Sequence, residues 1–469
     1  MTEKTPTNTK PKQNQPDVAA TTHQSWSVIA QSELHAAGST GESTGGFPSA
    51  RAQLEETSPA LPAITLPKGG GALRSMGEKF AVNPSLGSAS LTVPISTTPS
   101  RSPSATPSIS LTYSTGAGNS AFGLGWDISI NAAHITRKTD KGVPRYGDDD
   151  VFVLSGTEDL VRRARTDALG KVLVDSGGNL VFEDKTRPGW RVRQYVPRVE
   201  GAFSRVERWM NVDNADDCWW RTLSRDGTIS VYGLTDEAKI FDDGSDGDVG
   251  GTRKRIFSWL LQETYDTKGN VTWYSYKKED SANVPLDHPC ESNRTTSSRA
   301  RNRYLKNIKY GNQMPNQVPG AETGRLRAAS IPADGWMFEV VFDYGEHDIT
   351  SPLPDDATLA WESREDSFSS YRAGFEIRTY RLCRRILMFH HFPTEGFASG
   401  SLSTLVSATE LSYQEDAVAT KLVKVAHIGF APLRGQSGTG SLASSRPVYA
   451  SKSLPPLEFS YTQVPLWKR

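Results

Sequence analysis

Cysteine is scarce: 469 residues hold three, Cys218, Cys290 and Cys383. Their spacing fits neither a zinc nor a redox motif, and three thiols cannot all pair within one chain. Disulfide stapling is therefore not the expected source of stability, and folding in a reducing compartment is. An excess of one charge is also missing, since 53 basic residues face 53 acidic ones. A neutral chain has no overall field to gather phosphates or anionic lipid, so no nucleic-acid partner is expected. Two local basic runs, Arg299–Arg303 and Arg381–Arg385, read as solvated strand or loop charges. No run of about 18 apolar residues occurs, so no membrane span is expected. The first residues, Met1–Asp17, are polar and offer no apolar stretch of a secretory signal. The expected location is the cytoplasm before release, or the exterior by a non-standard route.

Catalytic patterns are missing as well. His-Glu-x-x-His does not occur; Glu346-His347 has no second histidine at the right spacing. His390 and His391 are neighbours on an expected strand, so they face opposite sides and cannot share an ion. Asp287-His288-Pro289-Cys290 lacks a second ligand cluster. Asp242–Asp248 resembles a calcium loop, but Gly244 stands where an oxygen ligand is needed and Arg253 where an acid is needed. Gly41-Glu42-Ser43-Thr44-Gly45 matches a nucleophile elbow without the strand and helix that such an elbow requires. Glu-x-Glu, which would stabilise a ribosyl cation in an ADP-ribosyltransferase, is absent. Gln31-x-Glu33 and Gln53-x-Glu55 lie in a polar tail. No catalytic, cofactor-binding or metal-binding residue is assigned, no cofactor is expected, and the chain reads as no enzyme.

What is present is a tail followed by strands. Residues 1–57 are rich in Thr, Ser, Gln, Pro and Gly and cannot bury enough apolar surface to offset their ordering entropy. They read as a disordered tail, with Trp26–Ala30 as a chance apolar cluster. From residue 58 to residue 469, short apolar runs alternate with turn residues. Trp336, Phe338, Val340, Phe342 and Tyr344 occupy every second position, the pattern of a half-buried strand. Leu457, Phe459 and Tyr461 repeat it, and Val151–Leu154 reads as a strand buried on both faces. Hairpins are expected around Asp175–Asn179 and around Asp226-Gly227, because Asx and Gly supply the positive φ of tight turns. Pro354–Tyr371 reads as a loop with one helix, and Gly311–Gly335 as a loop. The expected fold is all-β: a large antiparallel assembly of many strands, a sandwich or partial shell, with few short helices.

One ordered series of motifs adds to this reading. Leu66–Phe80 (LPKGGGALRSMGEKF) is followed by Ser110–Asn119 (SLTYSTGAGN), Phe122–Trp126 (FGLGW) and Ile135–Gly142 (ITRKTDKG). Asp150–Leu160, Phe203–Trp209, Phe257–Leu260, Asn302–Gly311 and Leu454–Tyr461 continue the series. Together they resemble the amino-terminal domain of the Salmonella virulence plasmid B proteins and of the B component of insecticidal Tc toxin complexes. Gly69–Gly71 would free a sharp turn, and Gly123 and Gly125 would let Trp126 lie flat on backbone. Tyr265-Asp266 with Gly269-Asn270, Tyr274 and Tyr276 looks like one Tyr-Asp repeat of an Rhs-type shell.

The resemblance implies carriage rather than catalysis. In Tc complexes the B and C components resemble two halves of a hollow β-shell around a toxic enzyme, which a channel-forming A component delivers. In the plasmid proteins the same domain precedes an ADP-ribosyltransferase. The chain stops at Trp467-Lys468-Arg469, where the family continues, so a truncated product or a free-standing paralogue is expected. Unpaired sheet edges would then invite protein partners. An independent glycan- or protein-binding module, motivated by Trp219-Trp220, is the alternative, as is the remnant of an ADP-ribosylating toxin without its catalytic domain.

Overall fold

The computed structural model describes residues 76–462, apart from 85–86, 157, 200–203, 246–253, 317–334, 356–358, 393–402 and 438–446. Strands account for about half of the chain and helix for about 5%. A first sheet of four strands contains β1 (Lys79–Asn83), β2 (Ser88–Ile95) and β3 (Ile109–Ser114). A small hairpin of β4 (Asn119–Ser120) and β5 (Gly123–Leu124) precedes its last strand, β6 (Trp126–Ile128). Residues of β2 and β3 alternate between core and half-exposed positions, as period two requires.

The next strands close on themselves. β7 (His134–Arg137), β8 (Phe152–Leu154) and β9 (Glu158–Arg162) pair in turn. After β10 (Asp184–Arg187), β9 joins β11 (Trp190–Pro197), which continues through β12 (Arg205–Asn211), β13 (Cys218–Leu223) and β14 (Ile229–Tyr232). The chain passes β15 (Lys239–Asp242) into β16 (Arg255–Tyr265), whose later half pairs with β14 and whose middle pairs back with β7. Eight strands thus form a closed antiparallel barrel without an edge. Its interior is aromatic: Phe152, Tyr195, Trp220 and Trp259 pack edge to face, at 4.8 Å between Phe152 and Trp220 and 5.9 Å between Trp220 and Trp259.

β16 also starts the second half. Its end pairs with β17 (Val271–Lys278), and the sheet runs on through β18 (Arg303–Asn312) and β19 (Trp336–Asp343). After a hairpin of β20 (Phe368–Ser370) and β21 (Ile377–Thr379), it continues with β22 (Arg385–His390), β23 (Thr404–Gln414) and β24 (Lys421–Ser437). It finishes at β25 (Pro447–Ser453) and β26 (Leu457–Glu458), which both border β24. One core cluster joins the inner faces of this sheet and of the four-stranded sheet. Trp126 packs against Phe459 with the rings tilted and 4.9 Å apart, and its Nε1 donates to Tyr461 Oη at 2.8 Å. The sandwich expectation therefore describes this half, while the barrel is a closed element that the sequence reading did not foresee.

Several details differ from expectation. β19 is buried on both faces: Phe338, Val340 and Phe342 join the main core, and Val341 packs with Leu387, Phe389 and Leu405 on the other. Val151 is exposed, so that run is buried only from Phe152 onward. The expected helix within Pro354–Tyr371 does not form among the described residues there; that stretch is coil leading into β20. Gly311 belongs to β18 rather than to a loop. The hairpin at Asp226-Gly227 forms, and Asp175 caps its own turn by accepting from Gly177 and Asn179 amides. Gly125 is needed at φ +78°, but what it makes room for is Tyr113: a Cβ there would lie 2.5 Å from Tyr113 Cε2. Gly69–Gly71, the tail motifs, Asp246–Arg253 and Trp467–Arg469 lie outside the described residues.

Candidate functional site

One end of the barrel is open and cationic. A cavity of about 470 Å³ lies between the 138–151 loop and the turn after β12. Strand alternation aims its side chains: Arg191, Arg193 and Tyr195 share the inward face of β11, and Arg193 sits directly across from Arg208 on β12. Arg137, at the end of β7, pairs with Asp150 at 2.6 Å and donates through Nε to the Ile256 carbonyl at 2.9 Å. Arg193 holds Asp148 in a two-bond fork, both at 2.8 Å. Those hydrogen bonds hold the Asp148 carboxyl at a pKa of about 2. Burial, and next the charge of Arg208, pull the Arg137 pKa down.

The outer face of the same strands carries a second cluster. Trp209 stacks on Trp219 at 5.0 Å, and Trp190 meets both edge to face. Trp219 is buried beneath half-exposed Trp190, Trp209 and Trp273, while Trp220 points into the barrel, so neither member of the Trp219-Trp220 pair is an exposed aromatic. Amid this face Glu207 accepts from Arg221 Nε at 2.9 Å, Arg205 Nε at 2.9 Å, Gln194 at 3.0 Å and Trp209 Nε1 at 3.1 Å. Burial raises its pKa, but Arg221, Gln194 and Arg205 outweigh burial and bring it to about 2.

Sheet borders are the third surface. Among the described residues β1 has one neighbour, β2, and its Phe80 and Val82 are 52% and 59% exposed. An exposed apolar edge strand is a ready template for another chain. In the larger sheet the border strand β25 is polar and carries exposed Lys452.

The motifs singled out from sequence fall apart in space or find structural partners. His390 meets Thr98 Oγ1 at 2.7 Å, whereas His391 meets Ser403 and Glu339 on the opposite side. His347 contacts Lys306 Nζ at 2.6 Å and the Leu353 carbonyl; burial, then Lys306, lowers its pKa. His288 Nδ1 lies 3.1 Å from Cys290 Sγ, with no further ligand cluster there. Among the described residues no group of three His, Cys, Asp or Glu side chains is placed to hold a metal ion. Asp242 is buried and bound by Arg255 and Arg301 at 2.9 and 2.7 Å.

The two basic runs are not solvated. Arg299, Arg301, Arg303 and Arg381 are all buried. Arg381 pairs with Glu279, caps the Ala282 and Trp361 carbonyls at 2.8 and 2.9 Å, and lies 4.3 Å over the Trp361 ring. Arg364 and Asp366 form a similar knot, with Asn119 and Thr420 as further partners of Asp366. Sequence reading missed Arg381, Arg301 and Arg193 because their partners Glu279, Asp242 and Asp148 lie 102, 59 and 45 positions away along the chain. One signal was available: Arg193 shares the Tyr195 face of β11, so the alternation aims it at the core.

Residues 83–392 match the family described as Salmonella virulence plasmid 65kDa B protein. The chain is 36% identical over 360 residues to the mono(ADP-ribosyl)transferase SpvB of Salmonella typhimurium, and equally so to that of Salmonella dublin. The match covers 76% of this chain and 55% of either relative, so the chain spans about half the length of the curated relatives it matches. The solved N-terminal domain of effector protein SpvB from Salmonella typhimurium superposes with a TM-score of 0.56 at 33% identity, covering 69% of this chain and 94% of that one. The TcdB2-TccC3 crystal structure gives a TM-score of 0.63 at 31% identity, over 86% of this chain and 17% of that one. The Photorhabdus luminescens Tc holotoxin pore gives 0.62 at 32% identity, again over 86% and 17%. A family match across most of the described strands, with a structural match to the same region, identifies the chain as a member of the Salmonella virulence plasmid 65kDa B protein family.

Proposed function

We propose that the chain is a non-catalytic wall module of a toxin-delivery assembly, one that joins protein partners through its sheet borders. One observation carries this reading: 86% of the chain superposes on only 17% of the TcdB2-TccC3 chain, so a similar unit recurs there as a small part of a much larger chain. Two further facts support it. The match to SpvB covers that protein's N-terminal domain almost completely. The exposed apolar β1 border offers a place for strand addition. In this reading the chain works outside the cell that makes it and is cytoplasmic before release. Among the described residues no helix is long and apolar enough to cross a membrane.

The test is size-exclusion chromatography with light scattering on the purified chain, alone and mixed with a Tc-type C component, together with a nicotinamide-release assay on NAD. Self-association or a defined complex, with no release, is expected. A monomer inert toward both would overturn the wall reading, and nicotinamide release would overturn the non-catalytic one. A second reading, a glycan-binding module, has the half-exposed Trp190, Trp209 and Trp273 behind it. A glycan array without hits would remove it.

A further inference from the structure

We propose that the open end of the barrel binds a phosphate-class dianion, with Arg208 as its central cation. This inference does not depend on the wall reading, because it concerns the inside of the barrel rather than its borders. Arg208 is 6% exposed and lines the cavity. Among the described residues its side chain makes one hydrogen bond, a long one from Nη2 to Cys218 Sγ at 4.0 Å, and its Nε has no partner. It rests on Phe152, Trp220 and Trp259, at 4.9, 5.7 and 5.8 Å. Aromatic faces attract a cation but supply no acceptor for its N–H donors.

The surrounding charges sharpen the point. Arg193 and Arg208 are direct cross-strand neighbours on the inward face, where like charges repel. Asp148 answers Arg193, and Asp150 answers Arg137. Asp184 lies 3.9 Å from Arg193 Nε but is engaged by Arg162 at 2.8 Å. Among the described residues, Arg191, exposed at the rim, and Arg208 have no carboxylate partner. Four guanidiniums against two carboxylates leave two positive charges, which a hydrogen phosphate or phosphomonoester dianion would balance. The cavity of about 470 Å³ leaves room for an organic body behind the anion, against Tyr146 and Met210.

The full chain would be titrated with inorganic phosphate at constant ionic strength, following melting temperature and tryptophan fluorescence, since Trp220 and Trp259 flank Arg208. A saturable rise in melting temperature and a saturable fluorescence change are expected. Arg208→Met, with an unchanged circular dichroism spectrum, should lose both. Arg191→Glu alters only the exposed rim and should weaken apparent affinity about tenfold, and it carries the test by itself if the Arg208 variant does not fold. Acetate should give less than about a tenth of the phosphate response, because a single negative charge leaves one cation unbalanced. No saturable response, an undiminished response in Arg191→Glu, or equal responses to acetate and phosphate would each overturn the proposal.

Discussion

The barrel and the open sheet share β16, yet they solve the same problem differently. In the barrel, every strand has two neighbours, and the polar groups of the backbone are satisfied by closure. Its interior is filled by aromatic rings, and its inward-facing arginines Arg137, Arg193 and Arg208 line one mouth. The open sheet cannot close, and its long connections are pinned to it by buried ion pairs. Arg381–Glu279 ties the segment before β22 to the end of β17, and the Arg364–Asp366 knot ties the β4–β5 hairpin to the start of β24. The barrel has such pairs too, Arg137–Asp150 and Arg193–Asp148, but they hold a single loop at its mouth, whereas in the open sheet they tie several long connections to the strands.

The contrast can be broken from the sheet side first. Arg381→Met leaves Glu279 buried and unpaired, and should cost about 3–5 kcal/mol of stability in chemical denaturation. Adding Glu279→Leu should recover most of that loss; a double variant as unstable as the single would show that the ion pair is not the staple. On the barrel side, Trp259→Leu removes ring volume from a packed interior and should cost about 2–4 kcal/mol, with no compensating partner available.

Acid should act mainly on the pinned carboxylates. Asp366 and Glu207 each have a folded pKa of about 2, below the unfolded values; for both, burial alone would raise it, and their hydrogen-bonded arginines more than reverse this. Their stabilisation is full above the unfolded pKa and is lost as pH falls through the folded one. Stability should therefore drop between about pH 5 and pH 2, by about 2–3 kcal/mol for each group. Asp366→Asn should flatten part of that slope in a pH series of melts. Gly125→Ala should cost less, about 1–2 kcal/mol, from the positive φ and the crowding of Tyr113. The smallest effect belongs to the half-exposed pair Arg162–Asp184, where Arg162→Ala should shift stability by less than about 1 kcal/mol.

The strands were legible where the code is local. Asp226-Gly227 announced its hairpin, and the alternation from Trp336 to Tyr344 announced β19. Burial of the second face of β19 was not legible, because Glu339 and Asp343 look like solvent positions until His391 and Arg385 reach them. The ring was hidden for a different reason. β7 and β16 pair at a separation of more than a hundred residues, and nothing in Ile135 or Trp259 names the other. The basic runs misled because charge alone carries no sign of burial; Arg381 and Glu279 are 102 positions apart. The barrel mouth assembles arginines from three strands, so no spacing rule finds it.

The union of β7 with β16 has a consequence for synthesis. Staves from His134 onward leave the ribosome well before Leu260 arrives to meet them. Until then both rims of the half-made ring display unmatched amides, and the entropy of so long a loop delays the last seam. The growing polypeptide is thus most vulnerable to wrong pairing just before its cylinder is sealed, and a chaperone that shields rims would act in that interval.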